Sequence, residues 1–545
     1  SGTSLDVSVN TVNSLVIGNL NKEKTGINNA TFGMSNIGIT NTNTIVSGKN
    51  NVNTSNTESG IIGTSNQGNS NVNSLLVGNS NIISNNSQVI VTGSNHTTVT
   101  NNSDTIVSGL NNISKTNKNS LLIGTQQDTD TNENILVGGN LNTVKTTDDS
   151  LISGKQNLVE NMKESSIIGS YNDVSGNTQY SMTIGQSNKN FNNKQTLLSG
   201  KSNVVKDTLT TTILGESNDV SGNTTQSLVV GLSNNNNNNQ YNVTYGKLNT
   251  TKDSKGSLIG GENHTAKSVT NGVLFGNNNK LENVSNSLTL GELNDVSGNT
   301  SNTLISGKQN YENNGNNNTI LGNEEIVKNS TNILVSGKKN SLTNDIESVV
   351  VGLSNTLTDS EKSGVIGELN TVTNSTKNSV VFGKSNQESN GNNNIISGNT
   401  NQNTGGTNNL ITGANNNVSS ATDSVIFGKS NIISNGNNNM VSGLSQIVND
   451  SSNNIIEGIS NKLVKVGNSA VYGKSQDISG SYNVLASGLE NKLELANNSV
   501  AIGYKNDISN SLISAAIGEE NTIKRSSTAS VAIGKLNTID QVNHG

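Results

Sequence analysis

The sequence predicts an all-β repeat fold: a narrow parallel β-roll of about 35 rungs, each 15–16 residues long. Three observations carry this reading. A glycine recurs in register from Gly18 to Gly534, giving 35 positions and 34 intervals, of which 28 are 15 residues and six are 16. A short alternating apolar run precedes nearly every one of these glycines, as in Ser14-Leu15-Val16-Ile17-Gly18. The 545 residues contain no proline and 108 asparagines. A disordered polar chain keeps no such register, whereas a stack of equivalent coils requires it.

The elements follow in chain order. Residues 1–17 read as an N-terminal capping rung that opens on a scar-like Ser1-Gly2-Thr3-Ser4, and 18–545 as continuous repeats. Within a rung, alternation sends the first and third apolar side chains of the run to one face of a strand. The glycine follows where a tight corner needs positive φ or close backbone approach. Three residues later asparagine fills 29 of 35 positions. It is expected to adopt the left-handed region and to stack its amide from rung to rung. Gly18 with Asn21, Gly200 with Asn203 and Gly503 with Asn506 are representative ladder pairs. An apolar residue often returns two positions later, as at Val220, Val296, Val372 and Ile508. It marks a second strand, and the remaining Asn, Ser, Thr, Gly and Lys form an outer turn. Two strands and two turns per coil result. Proline is excluded because almost every backbone N–H must pair with the next rung.

Composition removes several functional classes. With no cysteine there are no disulfides, Zn–Cys sites or thiol catalysis. A net charge of −6, spread along the chain, argues against a nucleic-acid partner. No apolar run has the length of a membrane-spanning helix, so direct membrane insertion is not expected. No catalytic residue, metal site or cofactor is expected. His96 and His264 share one offset from the ladder glycine and read as turn variants, and His544 stands alone. Asp128-Thr129-Asp130-Thr131-Asn132-Glu133 begins like a calcium loop, but Glu133 stands where the turn glycine belongs, so it reads as an outer loop.

Hydrophobic residues are only 29% of the chain, too few for a thick core within one coil. An apolar stripe on a thin roll needs a second layer, and copies arranged about a shared axis supply one. The residue just before the glycine is bulky in most rungs but Ser, Thr or Gly in thirteen, which reads as a crowded seam.

The strings Ser499-Val500-Ala501-Ile502-Gly503 and Ser530-Val531-Ala532-Ile533-Gly534 resemble the head repeats of YadA-type trimeric autotransporter adhesins. The resemblance runs from about Ser4 to Asn543. It implies a left-handed parallel β-roll, trimeric about a central axis and displayed on the outer surface of a Gram-negative bacterium. Host targets would be matrix proteins such as collagen, fibronectin or laminin, or epithelial receptors with immunoglobulin domains. The chain departs from the family pattern in its Val- and Ile-rich second strand. It also lacks a neck, a heptad stalk and a membrane anchor, and it reads as an excised passenger segment.

Exposed aromatics are the expected binding anchors. Phe191 with nearby Tyr180 is the preferred patch, with Tyr241, Tyr311 and Tyr482 as further candidates. Phe32, Phe275, Phe382, Phe427, Tyr245 and Tyr472 directly precede a ladder glycine and are expected in the core. The repeated Asn-Asp-Val-Ser-Gly-Asn at 172–177, 218–223 and 294–299 reads as a shared turn. An adhesin head without chemistry is the leading functional expectation. The alternatives are a structural spacer, such as a phage tail-fibre shaft or extracellular filament, and an Asn-ladder self-assembling fibre.

Overall fold

The computed structural model describes residues 3–8 and 10–542; His544, Ser1 and Gly2 lie outside the described residues. The chain forms two compact units that divide between Asn271 and Gly272. Each is a parallel β-solenoid, with about 36 turns in all and no helix among the described residues.

One turn from each unit shows the construction. In the first, the five-residue long strand Leu75–Asn79 is followed by the three-residue short strand Ile82–Ser84. A third face then follows, on which Ser87 alone bridges to Val72 and Ser103. In the second unit the same order is Leu485–Leu489, Lys492–Glu494 and Asn497. Each turn therefore has three faces and three corners, rather than the two strands and two turns expected from the sequence. The third face is invisible to pattern reading because a single bridging residue has no alternation.

Most corners are made the same way. A residue in the left-handed region turns the chain, and a buried residue, usually a small polar one, follows it. In the first-unit turn the corner residues are Ser80, Asn85 and Gln88, at φ 58, 55 and 55°. The buried followers in that turn are Asn81, Asn86 and Val89, and neighbouring turns place Ser or Thr at the third position, as in Ser74 and Thr105. Here two expectations are corrected. The ladder Asn is not itself left-handed; the residue before it is. The ladder glycine is not the corner either. Gly78 is the fourth residue of its strand and stacks directly on Gly63 and Gly93. It must still be glycine, because its φ is 137° and a Cβ there would come within 1.8 Å of the Gly93 carbonyl oxygen.

The interior is filled by the second residue of each long strand and the middle residue of each short strand, such as Leu76 and Ile83. Period-two alternation then turns the first and third long-strand residues outward. They do share a face, as the sequence implies, but it is the outer one: Leu15 is 51% exposed and Val16 is buried. The aromatics expected in the core are corrected for the same reason. Phe382, Phe427 and Tyr245 are exposed, and Phe32, Phe275 and Tyr472 are half-buried on the outer long-strand face.

The Asn-Asp-Val-Ser-Gly-Asn phrases account for three of the 16-residue turns. Each contributes a short strand, for example Asp173–Ser175, then a left-handed glycine. Gly176, Gly222 and Gly298 have φ of 69, 65 and 71°. The extra residue follows at that corner, so the interior register is kept.

Candidate functional surface

Amide ladders set the geometry on which every outer side chain is displayed. Asn203 receives the Asn218 N–H on Oδ1 at 2.9 Å and donates from Nδ2 to the Gly215 carbonyl at 2.8 Å. Asn21 donates to the carbonyls of Ile17 and Gly33 at 2.7 and 2.9 Å, and Asn506 to those of Ile502 and Gly518, both at 3.0 Å. One side chain thus pins its own turn and the next, which buries polar groups without leaving them unpaired. His96 is a substitute rung: its Nδ1 accepts the Asn112 N–H at 3.0 Å, and Nε2 lies 3.0 Å from the Thr92 carbonyl. This arrangement needs the neutral ring with the proton on Nε2, and burial lowers the His96 pKa accordingly. A second ladder, Asn41 to Asn132 at the next corner, escaped the sequence reading. Its spacing from the glycine is as regular, but the column later changes to Thr, Ser and Gly.

Buried carboxyl groups were also missed. Glu23, Glu312 and Glu388 occupy the middle of short strands and point inward. Each stands three residues before a glycine and six before an asparagine: Gly26 and Asn29, Gly315 and Asn318, Gly391 and Asn394. The glycine makes the space, since a Cβ on Gly315 or Gly391 would fall 1.6 Å from the carboxyl oxygen. The asparagine donates to that carboxyl at 2.7, 2.7 and 2.8 Å respectively. Burial pushes Glu312 and Glu388 up to about 7, against the opposing pull of the amide donors. Glu325, which replaces a ladder Asn, is likewise raised to about 7 by burial, and Asp345 to about 6.

The outer surface is organised face by face. The long-strand face carries two apolar columns, exemplified by Leu334, Ile395 and Ile455 in the first and Ile366, Phe382 and Leu321 in the second. One border is the position after the glycine, charged in 15 of the 35 turns and joined between neighbouring turns as Lys247–Glu262 at 3.1 Å and Lys384–Glu368 at 3.2 Å. The other border is a row of corner amides, where Asn438, Asn453 and Asn468 are linked by 3.0 Å hydrogen bonds. A shallow groove runs between these amides and the first apolar column, bounded by Asn453 and Asn468 on one side and Ile455 and Leu485 on the other.

The candidate aromatics are dispersed over this frame. Tyr180 and Tyr241 are left-handed corner residues, with φ of 52 and 57°, in the row bordering the long-strand face. Tyr180 closes one side of a groove with Met182 and Leu197. Phe191 lies instead on the short-strand face, over Gly176 and 5.6 Å from the Lys206 ammonium. Phe191 and Tyr180 therefore occupy different faces and form no common patch. Tyr311 is on the short-strand face beneath Lys328, with 5.5 Å from the ammonium to the ring. Tyr482 is on the third face, its ring over Gly467. The segment Asp128–Asp130 is a short strand, not a loop, and Glu133 pairs with Lys118 at 2.9 Å. No cluster of metal-ligating side chains occurs among the described residues. Compared with known proteins, the chain matches no family model and no curated protein.

Proposed function

We propose that the chain is the head region of a bacterial surface adhesin that attaches to host receptors or matrix by contact alone, as a homotrimer. One observation carries the reading: an apolar long-strand face, bordered by charged pairs and amides, in each of the two units. An apolar area of this extent marks an association surface, and closed cyclic symmetry buries it without leaving a sticky end. The other two faces then remain outward, and they hold the side chains that vary most from turn to turn, Phe191, Tyr311 and Tyr482 among them. The resemblance of Ser499–Gly503 and Ser530–Gly534 to YadA-type head repeats supports the left-handed, trimeric form and display at the bacterial outer surface. Sedimentation of the purified chain tests the assembly, with three copies expected. Binding to a panel of collagen, fibronectin, laminin and epithelial immunoglobulin-domain receptors tests the adhesin; trimers that bind none of them favour the spacer. Regularity itself speaks for that second reading, because the ladders require no partner to be complete.

A further inference from the structure

The two outward columns of the long-strand face are not independent. Across 35 turns, the residue before the ladder glycine is Ser, Thr, Gly or Glu in fourteen. In all fourteen, the residue two positions earlier is Leu, Ile or Met. Conversely, the first column is Ala, Gly, Ser or Thr in eight turns, and each of these has Ile, Leu, Phe or Tyr in the second. No turn is small in both columns, whereas independent pairing of fourteen and eight in 35 would leave about three. The aromatics sharpen the rule. All six second-column aromatics sit opposite Ala or Val, never opposite the Leu, Ile or Met that fill the first column in 20 turns. Ala30 with Phe32 followed by Ile45 with Ser47, and Leu304 with Ser306 followed by Thr319 with Leu321, are adjacent layers showing the exchange.

Solvent does not demand constant volume from an exposed face. A packed interface does, because voids and overfilling both cost free energy. From the first turns of one unit to the last of the other, no layer is small in both columns and none sets an aromatic beside Leu, Ile or Met, although layers such as Leu15 with Ile17 and Leu288 with Leu290 carry two aliphatic residues. A fluid lipid surface imposes no limit per layer, and a globular partner would constrain only the turns it touched. The remaining occupant is an object with the same repeat along its whole length, a second copy of this chain.

We propose that copies of the chain pack through their long-strand faces in layer register, and that the register is set by size compensation between the two outward columns. Each layer then has a bounded space shared by the same turn of every copy, filled by one large and one small side chain or by two aliphatic ones, and never by two small ones or by an aromatic beside Leu, Ile or Met. A one-layer slip would bring large beside large and small beside small, so it is rejected at many layers at once. The inference rests on the self-association proposed above.

The test is a size swap in the full chain, read by sedimentation and by the concentration dependence of dissociation. Ser306→Phe alone overfills its layer and raises the dissociation constant about tenfold or more. Leu304→Ala with Ser306→Phe restores the wild-type value to within about threefold. Thr371→Phe, on the outward short-strand face, leaves it unchanged. Equal effects of the single and double variants, in a chain that still associates, overturn the compensation while leaving the assembly standing. A monomeric wild-type chain removes both. The cysteine-free sequence supplies a second readout if the swaps do not fold. Copies carrying Leu304→Cys, mixed and refolded with copies carrying Ser306→Cys, cross-link on oxidation, and with copies carrying Ser336→Cys they do not. Cross-linking of both mixtures alike overturns the register.

Discussion

Glu312 offers the sharpest test of the interior. Its carboxyl is buried, accepts one hydrogen bond from Asn318 Nδ2, and leaves Oε2 without a partner. Burial raises it from 4.5 to about 7. The folded chain therefore binds this proton more tightly than the unfolded chain does. The stabilisation is fully present below about pH 4.5, is lost as pH rises through about 7, and amounts to about 3 kcal/mol for the group. Glu312→Gln keeps an acceptor for Asn318 and removes the titration. Native-state hydrogen exchange of the amides from Ile305 to Glu312, corrected for intrinsic exchange, reads local opening turn by turn, which suits a repeat stack better than one global transition. Wild-type opening should become easier by two orders of magnitude between pH 5 and pH 8, and the variant should lose most of that slope. Glu347→Gln, at an exposed corner, should keep it. Equal slopes in wild type and Glu312→Gln would refute the reasoning.

Other outcomes follow from the ladders and the surface. Gly139→Ala should be severely disruptive, costing several kcal/mol in local opening, because a Cβ would lie 1.9 Å from the Gly154 carbonyl at φ 115°. Its neighbour Gly138→Ala, which meets nothing within 4 Å, should change local opening little; hydrogen exchange compares the two directly. Asn203→Ala removes the acceptor for the Asn218 N–H and the donor to the Gly215 carbonyl, and should cost about 3 kcal/mol in the same measurement. Phe191→Ala should weaken attachment to a binding target without changing thermal stability. Because Tyr180 borders the long-strand face instead of an outward one, adding Tyr180→Ala should leave attachment as it is in Phe191→Ala, and titration of the two single variants and the double checks this.

The sequence by itself determined the repeat, its length, the parallel β-stack and the ladder pairs such as Gly200 with Asn203. Those depend on register and on what each residue type allows locally: a glycine that must approach the next backbone, an amide with one donor and one acceptor to spare. The tertiary structure decided which way side chains face. Alternation in Leu15-Val16-Ile17 is equally compatible with one apolar residue inside or two, and only closure into three faces, each interior position touching its own turn and the next, puts Val16 in and the others out. That single choice moved Phe382 and Tyr245 from core to surface and separated Phe191 from Tyr180. It also hid Glu312, whose place looks like an ordinary polar position until Gly315 is seen to make room for it. Local chemistry is written residue by residue, but inside and outside are properties of a closed turn, and closure brings together residues whose nearness no local pattern records.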